Sequence, residues 1–245
     1  MSLVDAALAG APRRPAEVAA RSALLVGNVG KLGAELLNIL LESLHYASVT
    51  VAVRRPMRVH LPKLATTVVP GEQEAWDPAA GGRAPDDAFL CIETPVQSFW
   101  KSEKPYLQIS SERAAGLAAR LRSAGTRRVA VITPLDAIMQ MGAVPAIRDS
   151  DELSIINGGF ERVLVLRPVQ EGVRERAPGF FGGVGSLVVR TLGSYMSPKH
   201  LQPVRLRHAA RAAVDMLAGM DNGVQIVGAA RLRELVGDPL ARGAL

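Results

Sequence analysis

The sequence predicts an α/β protein built on a parallel sheet with helices on both faces. Three observations predict it. Short runs of Val, Ile, Leu and Ala alternate with stretches whose apolar residues recur at helical spacing. Aromatic residues are only 4% of a chain that is 48% apolar, so the core must be aliphatic, as in strands buried on both faces. An apolar run with glycines at 27, 30 and 33 leads straight into an amphipathic helix. At 245 residues the chain suits one sizeable α/β domain, and two full domains would be cramped.

The first strand is Leu24–Val26. The helix after it carries Leu32, Leu36, Leu40 and Leu44 on one stripe, with Gly33, Leu37 and Leu41 beside it, which suits packing on a sheet. Val49–Val53 is a second strand, rich in β-branched residues, and it ends in Arg54, Arg55 and Pro56. Thr66–Val69 is a short third strand, and 70–86 reads as loop. Asp87–Thr94 is a fourth strand, closed by Pro95. Ser111 is the expected cap of a helix that turns Ala114, Leu117, Ala118 and Leu121 inward and Arg113, Arg120 and Arg122 outward. Arg128–Thr133 and Arg162–Leu166 are strands stopped by prolines. Val204–Leu217 is an amphipathic helix, Val224–Val227 a last strand and Ala230–Leu235 a terminal helix.

Alternating strands and helices mean βαβ units. Residues 1–21 read as an N-terminal extension and 22–245 as a single domain. Within it, 170–203 has few periodic signals and several glycines, and reads as a small lobe over the strand C-termini, on the substrate side.

The charge of +6 does not argue for nucleic acid as a partner. Of the 29 basic residues 24 are Arg, scattered and not interleaved with aromatics, as coding bias would leave them. Cys91 is the lone cysteine, expected in the core, so a reducing, cytoplasmic setting fits. No window approaches the ~18 apolar residues of a membrane span, and the N-terminus does not read as a signal peptide. The histidines His45, His60, His200 and His208 have no metal-ligand spacing, so no metal is expected. Asp136 and Asp149 to Glu152 read as an acidic, solvated loop near the strand mouths.

The chemistry concentrates in Ala23-Leu-Leu-Val-Gly-Asn-Val-Gly-Lys-Leu-Gly33. One glycine permits the tight turn, one lets backbone approach a pyrophosphate, and one permits close helix packing. The helix start adds free N–H groups and a positive dipole end. A dinucleotide is therefore the expected ligand, held by Gly27, Asn28, Val29, Gly30, Lys31, Leu32 and Gly33, with Thr94 after the fourth strand. A glycine turn kept for packing alone is the competing reading. An acid at the end of the second strand would hold the ribose diol of NAD; Arg54 and Arg55 suit the 2′-phosphate of NADP instead.

These pieces resemble the atypical short-chain dehydrogenase/reductases, in the branch of the Tat-interacting oxidoreductase-like and NmrA-like proteins. The resemblance rests on Leu25–Gly33, Val49–Arg55, Ala88–Thr94, Arg128–Thr133, Val163-Leu-Val-Leu-Arg-Pro168 and Val204-Arg-Leu-Arg-His-Ala-Ala-Arg-Ala212, and covers roughly residues 22–236. It implies a Rossmann-like doubly wound sheet, NADP or NAD, and in active members a Tyr-x-x-x-Lys pair with an upstream Ser. Here the Ser position falls near Thr133, and the Tyr and Lys positions fall on Val144 and Arg148. Arg148 can hold a ribose, but Val144 cannot move a proton. Tyr195 and Lys199 have the literal spacing, but Pro198 lies between them and the pair follows Arg167-Pro168. Glu93 stands near the cofactor region and would repel a pyrophosphate unless turned away.

Three readings stay open. One is a dinucleotide-binding protein without catalysis, acting as redox sensor or scaffold. One is an NADP-dependent reductase of a small carbonyl with a non-standard proton donor, for which Thr133, Tyr195 and Lys199 are the candidates. One is a cofactor-free Rossmann-like protein working through a protein partner or a homodimer.

Overall fold

The computed structural model describes residues 21–27, 30–57, 61–69, 83–92, 107, 109–133, 135–136, 147–170 and 205–237. The strands are β1 (Arg21–Val26), β2 (Tyr46–Val53), β3 (Leu64–Val68), β4 (Asp87–Cys91), β5 (Arg128–Ile132), β6 (Leu135–Asp136), β7 (Arg162–Arg167), β8 (Val169–Gln170) and β9 (Gly223–Gly228). The helices are α1 (Lys31–Glu42), α2 (Ser111–Ala124), α3 (Asp149–Ile156), α4 (Leu206–Gly219) and α5 (Ala229–Gly237). Seven strands form one sheet in the order β3-β2-β1-β4-β5-β7-β9, every neighbouring pair parallel. The pair β6-β8 stands apart.

Both faces of this sheet are covered, as expected. On one face, Leu25, Val51, Phe89, Ile132, Leu164 and Val227 pack with Leu32, Leu36 and Leu40 of α1 and with Ala213, Val214 and Leu217 of α4. On the other, Leu24, Leu90, Val131 and Val165 pack with Leu117 and Leu121 of α2 and Ile155 of α3. Successive strand residues alternate between the two clusters, which is why these strands read as continuous apolar runs.

The strands converge on a buried polar knot at their N-terminal ends. Asp87, the first residue of β4, is fully buried. Its Oδ2 accepts the Tyr46 hydroxyl at 2.6 Å, and its Oδ1 accepts the Arg128 Nε–H. Arg21 lies 4.0 Å away. These four are the first residues of β1, β2, β4 and β5. Burial is the largest influence on Asp87 and lifts its carboxyl above the ordinary range, against the downward pull of Tyr46, Arg128 and Arg21. Burial likewise pushes the Tyr46 phenol far up, so it stays a donor. The neighbouring Asp86 goes the other way. Burial raises it, but the Ser22 N–H and hydroxyl, with Arg83, outweigh that and hold it below the usual value.

Three expectations are corrected. Leu44 does not complete the α1 stripe: the helix ends at Glu42, Ser43 is extended, and Leu44 is 93% exposed, because the chain must turn to enter β2 at Tyr46. Ser111 is not the cap of α2. Ser110 holds that place without a side-chain bond, and the Ser111 hydroxyl donates to Asp151 at 2.6 Å while accepting the Arg148 N–H at 2.8 Å. Asp149 to Glu152 is not a solvated loop but the first turns of α3, with Glu152 buried. The strand centres agree with the sequence, and most strands extend a residue or more beyond the expected limits.

Tyr46→Phe keeps the ring and its edge-on contact with Phe89 but removes one bond to buried Asp87. The expected loss is about 1–3 kcal/mol of stability, read from urea midpoints.

Candidate functional site

The strand order reverses between β1 and β4: the chain runs outward through β2 and β3, then starts again at β4 on the other side. A crevice forms beyond the C-terminal ends of strands at such a point. Val26 pairs with Leu90 there, and Gly27 and Cys91 follow. Gly27 has φ +91°, a region that favours glycine. A Cβ on it would lie 1.9 Å from the Cys91 carbonyl oxygen and 3.2 Å from Ile109 Cγ2. The first glycine is therefore demanded by backbone contact alone.

Helix α1 starts at this mouth. Gly30 is its N-cap at φ −110°, ψ −171°, extended backbone with no side-chain cap bond, and the first turn has no acid. Lys31 is exposed at the first helical position, and Gly33 is buried. The first-turn N–H groups have no intrahelical partner, so this end is electropositive. Leu32 differs from expectation. Its side chain is 1% exposed and belongs to the core, so only its backbone can face a ligand. Arg54 and Arg55 follow β2 at the same edge, both exposed.

Short turns after α2 and α3 return the chain to the starts of β5 and β7, so both helices open at the mouth on the other face. Arg148 is the N-cap of α3, with φ −74° and ψ 144°. It is therefore not inside a helix, as a Lys-equivalent four residues after a Tyr would be. Its exposed guanidinium pairs with Glu112 at 2.7 Å. Glu152 accepts two bonds from Arg167 Nη2, at 2.7 and 2.8 Å. This tie between α3 and the end of β7 was missed because an eight-residue helix with one buried aliphatic carries almost no periodic signal. Arg148, Glu152 and Ile155, at near-helical spacing, were the signal available.

Thr133 stands at the mouth end of β5, 2% exposed, its N–H bonded to the Leu166 carbonyl at 2.9 Å. Its Oγ1 is buried and has no hydrogen-bond partner. Asn28, Val29, Glu93, Thr94, Val144, Tyr195 and Lys199 lie outside the described residues, as do 1–20 and 171–204. Asp136 lies in β6. Cys91 is buried, as expected. No group of acids, His and Cys that could hold a metal occurs among the described residues, and none of their helices is long and apolar enough to cross a membrane.

No protein-family model and no curated protein matches the sequence. Solved structures do. MoeE5, solved with UDP-glucuronic acid and NAD, shares 17% identity over 88% of this chain and 82% of its own, with a TM-score of 0.52. WbmH of Bordetella bronchiseptica, solved with NAD+, shares 14% identity over 92% of this chain and 82% of its own, also at 0.52. WbmG of the same organism, solved with NAD, shares 12% identity over 91% of this chain and 78% of its own, again at 0.52. The chain has a Rossmann-like fold. That is the fold the short-chain dehydrogenase resemblance implies, and the likeness at these identities speaks to fold alone.

Gly27→Ala is expected to cost about 2–4 kcal/mol, from left-handed strain and the clash with Cys91. Gly30→Ala, at a φ any residue adopts, should fold normally. Denaturant midpoints compare the two, and a Gly27→Ala chain as stable as the parent contradicts the contact.

Proposed function

We propose that this chain binds a nicotinamide dinucleotide across the ends of β1 and β4, prefers NADP to NAD, and acts as a redox sensor or scaffold without the usual Tyr–Lys pair. The observation that carries the reading is the start of α1. A side-chain-free turn at Gly27 leads to an uncapped, acid-free helix end with Lys31 beside it. Such an end suits a pyrophosphate. The fit extends to the end of β2, where Arg54 and Arg55 suit a 2′-phosphate and stand where an acid would hold the ribose diol of NAD. The neighbours WbmH and MoeE5 were solved with NAD; the guanidinium pair is what turns the reading toward NADP here. A bound dinucleotide supplies hydride chemistry. The chain's own residues, the backbone of Gly27 and Gly30 with Lys31, Arg54 and Arg55, hold its phosphates.

Non-catalysis is favoured because the short-chain dehydrogenase resemblance sets Val144 at the proton donor's position in the sequence, and because Arg148 is engaged with Glu112. One observation favours the reductase reading instead. The Thr133 hydroxyl is buried and unpartnered at the mouth, where it can donate to a substrate carbonyl. The single-domain reading of 22–245, with 170–203 as a substrate-side lobe, is part of this proposal.

Calorimetry with NADPH and NADH tests it. The expected result is micromolar NADPH binding, weaker NADH binding, and loss of the NADPH preference in Arg55→Glu. Gly30→Asp should keep or raise stability, because Asp is a good N-cap. It should abolish binding, because its carboxylate takes the phosphate's place. No binding of either nucleotide overturns the proposal. NADPH oxidation with a carbonyl panel, lost in Thr133→Val, would favour the reductase over the sensor.

A further inference from the structure

The far edge of the sheet poses a separate question. Strand β9 pairs with β7 and, among the described residues, with no other strand. Its sequence, Gly-Val-Gln-Ile-Val-Gly, holds no charge and no proline, the usual guards of an edge. Gly223 donates its N–H to the Glu161 carbonyl, toward β7. Strand alternation then turns the N–H and C=O of Val224 and Ile226 outward. Both side chains are also open, at 49% and 53% exposure. They lie on the face of their register partners Val163 and Val165, which are buried in the cluster that Ile155 of α3 joins. That cover ends at β7. Beyond it an apolar pair and an unpaired strand edge occur together.

We propose that β9 pairs with β9 of a second copy about a twofold axis perpendicular to the sheet, joining the two sheets into one. A strand is the occupant that satisfies both features; a helix or a lipid surface would cover the side chains and leave the edge unpaired. A second copy suits it because the strand is complementary to itself. With Gln225 on the axis, Val224 faces the second copy's Ile226 and exchanges backbone bonds with it, and the reverse pair does the same. The four apolar side chains then meet on one face. Asp221 of each copy comes level with the start of the other's α5, which carries Arg231 and Arg233 against the single acid Glu234, paired with Arg231 at 2.8 Å, so a net positive helix opposes the carboxylate in the antiparallel arrangement. Pairing β9 with the other edge strand β3 would be head-to-tail and would not close. The strand contact falls short of the ~800 Å² per partner of a standard interface, so the dimer dissociates on dilution.

Sedimentation velocity from low to high micromolar concentration tests this on the whole chain. The parent should shift from monomer to dimer. Ile226→Lys and Val224→Glu, both at exposed positions, should each stay monomeric with unchanged circular dichroism and midpoint. Mixing those two variants should restore a dimer, because positions 224 and 226 face each other across the axis. A parent that is monomeric throughout, a dimer indifferent to both variants, or variants that fail to re-associate on mixing overturns the proposal.

Discussion

The contact between Gly27 and the Cys91 carbonyl is the constraint on which the rest depends. At the switch point β1 and β4 approach so closely that a Cβ would sit 1.9 Å from a carbonyl oxygen. No side chain can line the crevice there, so whatever enters meets backbone. On either side of this point α1 covers one face of the sheet and α2 the other. A packing requirement and a ligand requirement fall on one residue. The glycine at 27 therefore cannot by itself separate a binding site from a structural turn, and neither can the missing cap, which α2, α3 and α4 share; Lys31 and the arginines carry that distinction.

Both ends of the sheet hold buried polar groups. At the floor, Asp87 is bonded to Tyr46 and Arg128 and neighbours Arg21, and Asp86 is bonded to Ser22 and Arg83. Removing Tyr46 or Arg128 leaves the fully buried Asp87 short of a bond, which is costly. At the mouth, Thr133 holds a buried hydroxyl with nothing to bond, and α1 starts without a cap. The floor has unmet groups as well: Arg21 Nη1 and Thr126 Oγ1 are buried there without a hydrogen-bond partner.

Much of the fold was legible because parallel strands are apolar on both faces, and Leu24–Val26, Val49–Val53 and Val129–Ile132 stand out as such runs. Their ends were not, because tertiary partners set them. Arg21 and Tyr46 join β1 and β2 through Asp87, a contact that no local pattern announces. Leu44 follows the helical spacing and still points to water, since the turn into β2 outweighs the fourth leucine. Helix α3 hid behind its acids: Glu152 looks solvated in the sequence and is buried because Arg167, fifteen residues away, neutralises it. Of the site, the glycine turn and Thr133 were legible from strand ends and spacing. The role of Arg148 was not, because its place at a helix cap depends on Ser111 and Glu112 from another helix.

The central claim is where a dinucleotide lies, and a crystal structure of the chain grown with NADP tests it most directly. The account predicts pyrophosphate density over the N-terminus of α1, against the backbone of Gly27 and Gly30, with the 2′-phosphate beside Arg54 and Arg55. Density at another surface, or an empty crevice at saturating NADP, would contradict it.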